Sequence, residues 1–274
     1  IKQQKEIVFP DFLSENVKNL VKSMLTVDIT SRIGFVELFQ HSWVTGIGLS
    51  PSIEFEDRQE TAILETNSTW FPSTSEEFKE KYSIKINKTE KFHDYTVKKI
   101  LGRGMSHEHF LARDNIKEID VAIKVVYRYK KVEDEMIERE IMTLKLFDHP
   151  HIIKLLNTYK NEEAYYLIFE YCEHLDLQTF IKNYYPKKRI PEYQVMKLAH
   201  QIFAGLHVMM EKKVVHRDLK LSCLLISSDY TVKIGGFEYS RILASSDELM
   251  NSFRGTPLIV APEIIENKPY DAKC

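Results

Sequence analysis

Long apolar stretches are missing from this chain. No run approaches the roughly 20 residues that a membrane-spanning helix needs. An excess of one charge is missing as well. The 38 Lys and Arg face 40 Asp and Glu, for a net charge of −2. That balance gives no electrostatic reason to expect nucleic acid or a membrane surface as partner. Cysteine is scarce: Cys172, Cys223 and Cys274 lie far apart and are odd in number. No disulfide framework is expected, and free thiols fit a reducing, cytoplasmic compartment. The chain opens "IKQQKEIVFP", without Met and without a signal-peptide pattern. The expectation is a fragment, or a chain whose start is missing. What the sequence does have is 274 residues at 43% hydrophobic content. That suffices for one good-sized core or two small ones.

Hydrophobic spacing divides the chain. Residues 14–25 place Val17, Leu20, Val21, Met24 and Leu25 on one helical face, with Ser14 as N-cap. Residues 28–44 predict a turn and a second short helix. Residues 46–94 are rich in Ser, Thr, Asn and Glu and read as a linker, with Trp70 and Phe71 as apolar anchors. From 95 onward the pattern changes. "YTVKKIL" (95–101), "DVAIKVV" (120–126) and "AYYLIFEY" (164–171) predict strands. Residues 133–147 predict a helix with Ile137, Ile141 and Leu144 inward. Residues 193–210 predict another, with Val195, Ala199, Ile202, Leu206 and Met209 as its stripe.

Three short strings carry chemistry: "VAIK" (121–124), "HRDLK" (216–220) and "APE" (261–263). Each is weak alone, but their order and separation behind a Gly-containing turn are specific. On these motifs residues 95–274 resemble the eukaryotic protein kinase family, in its Ser/Thr form. The resemblance implies an α+β, bilobal fold, with a small lobe over 95–169 and a partial large lobe over 170–274. It also implies ATP as cofactor and a protein as substrate or regulated partner. Lys124 would reach the phosphates and be held by Glu140, ten residues before Pro150. Leu101, Gly102 and Gly104 would cover the nucleotide. Ala122 and Leu225 would sandwich adenine below the gatekeeper Phe169, and Glu170 and Cys172 would bond its edge through the backbone. Asp176 would accept from the ribose or cap the next helix; both readings stand. Asp218 is the candidate base and Lys220 its companion. Arg217 would pair with a phosphate on Ser252. Leu144, Leu155, His216 and Phe237 would form the stack that links the lobes.

The same resemblance exposes departures. The family's metal-holding Asn falls on Cys223, and the Asp of D-F-G falls on Gly236, within "KIGGFEYSR" (233–241). A thiol is a poor ligand for Mg²⁺, which prefers hard oxygen donors. His107 replaces the third Gly of the phosphate loop, and His109 replaces its Val. The pair suggests a structural role more than a metal site, because no third ligand is near. The Cys and Gly exchanges together are similar, locally, to the kinase domain of a membrane-associated guanylate-kinase scaffold family. That likeness keeps a metal-independent activity in play. No metal is expected, and nucleotide binding is expected to be weak or Mg-independent.

The order of the ends is unusual. Asp28, Arg32, His41 and Trp43 follow the family's closing D-x-x-x-R…H-x-W pattern, yet they precede everything else. The alternative is an ordinary helical hairpin. The chain stops at "YDAKC", before the helix that forms the family's large-lobe core. Residues 1–45 are therefore expected to be the tail of a second kinase domain, 46–94 a linker and 95–274 a kinase truncated after A-P-E. Docking of Arg32 on Glu263 stays open. The linker is long enough for the hairpin to fold back, and a buried unpaired Glu263 would be costly. The hairpin face from Leu20 to Leu25 lacks its main packing surface, however, which makes docking the less favoured outcome. Three functions follow: a pseudokinase acting as a nucleotide- or protein-binding regulatory module, a Ser/Thr protein kinase with weak transfer, or a fragment that does not fold stably alone.

Overall fold

The computed structural model describes residues 7–45, 91–104, 107–128, 131–186 and 189–274. Residues 46–90, with the expected linker anchors Trp70 and Phe71, lie outside them. The described chain forms two compact units, one of residues 7–45, 131–155 and 172–274, the other of 91–128 and 156–171.

The second unit is a six-stranded sheet. Its strands are β1 (Lys91–Phe92), β2 (Tyr95–Arg103), β3 (His107–Asp114), β4 (Ile119–Tyr127), β5 (Leu155–Lys160) and β6 (Ala164–Glu170), in the order β1-β2-β3-β4-β6-β5. Pairing is antiparallel from β1 through β4 to β6. Alternation along the strands builds the core. Tyr95 and Val97 of β2, Phe110 and Ala112 of β3, and Val121 and Ile123 of β4 all point to one buried cluster. Strands β2, β4 and β6 are the three expected above; β1, β3 and β5 were not among them. Strand β1 extends the sheet ahead of residue 95 into the end of the expected linker.

The first unit is mostly helical. It contains α1 (Glu15–Met24), α2 (Phe35–Gln40), α3 (Ser42–Thr45), α4 (Lys131–Leu144), α5 (Leu177–Tyr184), α6 (Glu192–Glu211) and α7 (Pro262–Ile265). Short strands β7 (Val214–Val215), β8 (Leu224–Ile226), β9 (Val232–Ile234) and β10 (Arg241–Ile242) pair β8 with β9 and β7 with β10. Ser14 caps α1 as expected, its hydroxyl accepting from the Val17 N–H.

Helix α6 is covered on two sides, so its burial pattern differs from the single stripe expected. Leu198, Phe203, Gly205 and Met209 are buried, whereas Val195 is exposed. At Gly205 a Cβ would stand 2.8 Å from the His151 carbonyl and from Ile234, so only glycine lets β9 approach so closely. The opposite side of α6 carries the N-terminal hairpin. Val17, Leu20, Leu38 and Trp43 pack there with Phe203, and Phe39 meets Phe203 edge-on.

The hairpin therefore docks, the outcome less favoured from the sequence. The physical reason lies in α6, whose Met196, Ala199, Phe203 and Leu206 supply the apolar surface thought to be absent. Only part of the hairpin face is used: Leu20 is buried, but Met24 and Leu25 stay exposed. Polar contacts fix its register. Glu192, at the start of α6, accepts from Ser14 N and Oγ and from Trp43 Nε1. Arg32 forms a two-pronged pair with Glu263 at 2.7 and 2.9 Å, with both residues buried. The remaining Arg32 donors bond the carbonyls of Thr26, Val27 and Lys273. Burial alone would raise the Glu263 pKa; the guanidinium outweighs it and holds the carboxyl below its ordinary value.

Candidate active site

In the first unit the turn after β7 carries His216, Arg217 and Asp218. His216 is buried, and burial pushes its pKa down. Its Nε2 lies 2.7 Å from the Gly235 carbonyl, and its Nδ1 lies 3.3 Å from the Asp218 N–H. Those partners define a neutral ring that donates at Nε2 and accepts at Nδ1.

Asp218 is buried and fully engaged. Its Oδ1 accepts from Thr256 N at 2.8 Å and Thr256 Oγ1 at 2.6 Å. Its Oδ2 accepts from Lys220 Nζ at 2.8 Å, and the same ammonium reaches Thr256 Oγ1 at 2.9 Å. Burial opposes the charge on Lys220; the Asp218 carboxylate outweighs it, and the net direction is upward. Gly255, with φ +109°, permits this approach, because a Cβ there would stand 2.6 Å from the Arg217 carbonyl. Arg217 donates through Nε to the Tyr239 carbonyl and through Nη1 to Ser252 Oγ at 2.8 Å. A cavity of about 510 Å³ lies beneath this turn, bounded by Val215, Leu219, Leu243, Ile264 and Cys274.

Cys223 and Gly236 lie side by side. Cys223 is buried, and burial pushes its thiol up to about 12, so it is a neutral S–H; it donates to the Asp218 carbonyl at 3.4 Å. Gly236 has φ +74° and precedes the turn Phe237–Tyr239. The donor set at this corner does not fit a divalent cation. The thiol is neutral, residue 236 has no side chain, and the Glu238 carboxylate beside it belongs to no group of three His, Cys, Asp or Glu side chains able to hold a metal among the described residues.

Phe237 is fully buried, with its ring 5.1 Å from His216 and 5.7 Å from Phe147. Helix α4, with Leu144 buried at its end, packs on the same turn. Phe147 was not singled out from the sequence. Its place three residues after Leu144, continuing the inward face, was the available signal. Leu155 is half-buried. Glu140 is buried on α4. Cys172 is buried, and Leu225 lies on β8 beside Gly235. Asp176 is the N-cap of α5, accepting from Thr179 N and Oγ1, so its carboxylate performs the capping role.

The second unit holds the other candidates. Lys124 and Ala122 lie on β4, Lys124 buried, opposite Leu167 and Phe169 of β6. Glu170 ends β6. Leu101, Gly102 and Gly104 are at the end of β2 and just beyond it. Met105 and Ser106 lie outside the described residues. Across the tip, Gly104 N donates to the His107 carbonyl at 2.8 Å. The His107 ring lies against Gly104, where a Cβ would come within 2.5 Å of it, and it meets His109 edge-on. Both histidines thus pack at the strand tip. Glu108, between them, was missed in the sequence. It is buried and accepts from Arg103 at 2.9 Å and from the Tyr127 hydroxyl at 2.6 Å, tying β2, β3 and β4 together.

An α+β chain with a small antiparallel sheet, a mainly helical unit and an Asp-Lys-Thr cluster on the turn after β7 has the architecture of a protein kinase. Residues 95–274 match the protein kinase domain, and the chain belongs to that family. It is 34% identical over 186 residues to the serine/threonine-protein kinase ATG1a of Arabidopsis thaliana, which covers 66% of this chain and 29% of that one. It is 32% identical over 182 residues to NUAK family SNF1-like kinase 1 of Homo sapiens, covering 65% and 27%. With the serine/threonine protein kinase OSK3 of Oryza sativa subsp. japonica it shares 34% over 185 residues, covering 66% and 36%. The chain thus spans only about a third of these relatives or less. Among the described residues no helix is long and apolar enough to cross a membrane.

Proposed function

We propose that the protein is a pseudokinase: a member of the family that binds ATP weakly or without Mg²⁺ and regulates a protein partner. The observation that carries this reading is the corner at Cys223 and Gly236, whose donors do not suit a divalent cation. In this family, transfer depends on electrostatic stabilisation of the phosphoryl group, which the metal largely supplies. Lys124 and Glu140 are read as the phosphate-side pair, and Leu101, Gly102, Gly104, Ala122, Glu170, Cys172 and Leu225 as the nucleotide's surroundings. A second reading, weak Ser/Thr transfer, is favoured by the intact Asp218, Lys220 and Thr256 cluster. Ser252, already bonded to Arg217, is the candidate phosphorylated residue. Free buried thiols at Cys172 and Cys223 support a reducing, cytoplasmic setting. The docking of the hairpin through Arg32 supports a permuted large lobe, in which residues 7–45 serve as its closing helices.

Thermal unfolding tests the nucleotide half of this reading. ATP at tenfold its Kd should raise the wild-type Tm by about 3 °C, and Lys124→Met should remove most of that rise. No rise in the wild-type protein would discard nucleotide binding.

A further inference from the structure

We infer that Cys223, Gly236 and Glu238 form one interlocked unit that excludes a divalent cation by packing as well as by lack of ligands. The inference deepens the reading above and rests on it only for the nucleotide. A Cβ at residue 236 would stand 2.7 Å from Cys223 Sγ and 3.3 Å from Cys223 Cβ. Contacts under 3 Å between such atoms are strongly repulsive, so the thiol takes the volume through which a side chain at 236 would leave the backbone. The thiol has little room to yield. It is buried, its Sγ donates to the Asp218 carbonyl, and the Gly235 N–H holds the Cys223 carbonyl at 2.7 Å.

The other side of the same point is bounded by Glu238. Its Oε2 would lie 3.6 Å from that Cβ, because the turn Phe237–Tyr239 folds the side chain back over Gly236. An aspartate at 236 would therefore meet a sulfur on one side and a like charge on the other, on a backbone with φ +74°. Asp218, Lys220 and His216 are the other ionisable groups coupled to this corner. Asp218 and Lys220 are committed to each other and to Thr256, and His216 is neutral, so none is left to receive a cation. Residue 223 and the left-handed backbone thus together keep 236 a glycine.

A stability cycle tests the interlock without any nucleotide. Gly236→Ala in the wild-type protein should lower the Tm by roughly 5 °C. In a Cys223→Ala background the same change should cost clearly less; the φ strain is present in both backgrounds and cancels in the difference between the two costs, which reads the Cys223 contact alone. If Gly236→Ala alone fails to fold, a folded Cys223→Ala/Gly236→Ala protein shows the same coupling. Equal costs in the two backgrounds would overturn the interlock. Cation exclusion is read separately on the wild-type protein, from the electron paramagnetic resonance of Mn²⁺ titrated with and without ATP. No protein-bound Mn²⁺ beyond the ATP-chelated signal is expected. Bound Mn²⁺ that Glu238→Gln abolishes would overturn the inference and make Glu238 a ligand. Failure of ATP to bind would count against the nucleotide reading, while the cycle and Mn²⁺ alone still decide this one.

Discussion

Arg32→Met is expected to destabilise the protein by about 3–5 kcal/mol, because it leaves Glu263 buried without its counter-charge. The pair joins residues 231 apart in sequence, so its loss should also loosen the hairpin from α6. Trp43, which is buried in that contact, is the reporter, and its emission should shift to the red. The double variant Arg32→Met/Glu263→Leu should regain most of the stability, since an apolar pair of similar volume costs no desolvation. The pH dependence has a definite sign. Glu263 is held below its ordinary pKa, so its contribution is present above the unfolded carboxylate pKa near 4.5 and is lost as pH falls through the lower folded value. An Arg32→Met protein with wild-type stability and unshifted emission would show that the hairpin merely rests on the helix.

Phe237→Ala should cost about as much, roughly 3–5 kcal/mol, as is usual when a fully buried aromatic ring is removed. The ring is the point where His216, Phe147 and the end of α4 meet. Its removal would leave a void between the Asp218 turn and the helix that carries Glu140. Phe237→Leu fills much of that void and should cost less than half as much. Denaturant titration checks both through the midpoint, with an unchanged slope showing that the unfolded state is the same. A cost below about 1 kcal/mol for the alanine would mean that the stack is not part of the core.

These two residues show what the sequence made legible. Phe237 could be named because its string follows a strand and matches a family position; its contact with Phe147 could not, since that depends on how α4 ends. Strands β2, β4 and β6 announced themselves through β-branched runs. Strand β5, with Asn157 and Lys160 outward and half-buried residues between, carries no such signal. Helix α6 was placed to within a residue at each end, but its stripe was misread because two partners cover it. Hairpin docking was misjudged for a related reason. Arg32 and Glu263 were correctly matched as partners, yet the surface that brings them together belongs to Phe203 and Leu206, far along the chain from the hairpin. Asp218 and Lys220 were legible from "HRDLK", and the hold of Thr256 on both was not. The close packing of Cys223 on Gly236 is a tertiary fact that neither residue discloses alone.

The most direct test of the central claim is transfer of labelled γ-phosphate from ATP by the wild-type chain, to itself and to generic protein acceptors, with Mg²⁺ and with EDTA. Asp218→Asn serves as the blank. The predicted result is no Mg²⁺-dependent label above that blank, because Cys223 offers a neutral thiol, residue 236 offers no side chain, and Glu238 beside them is in no cluster of three candidate ligands among the described residues. Robust Mg²⁺-dependent transfer that Asp218→Asn abolishes would contradict the account and make the protein an active kinase.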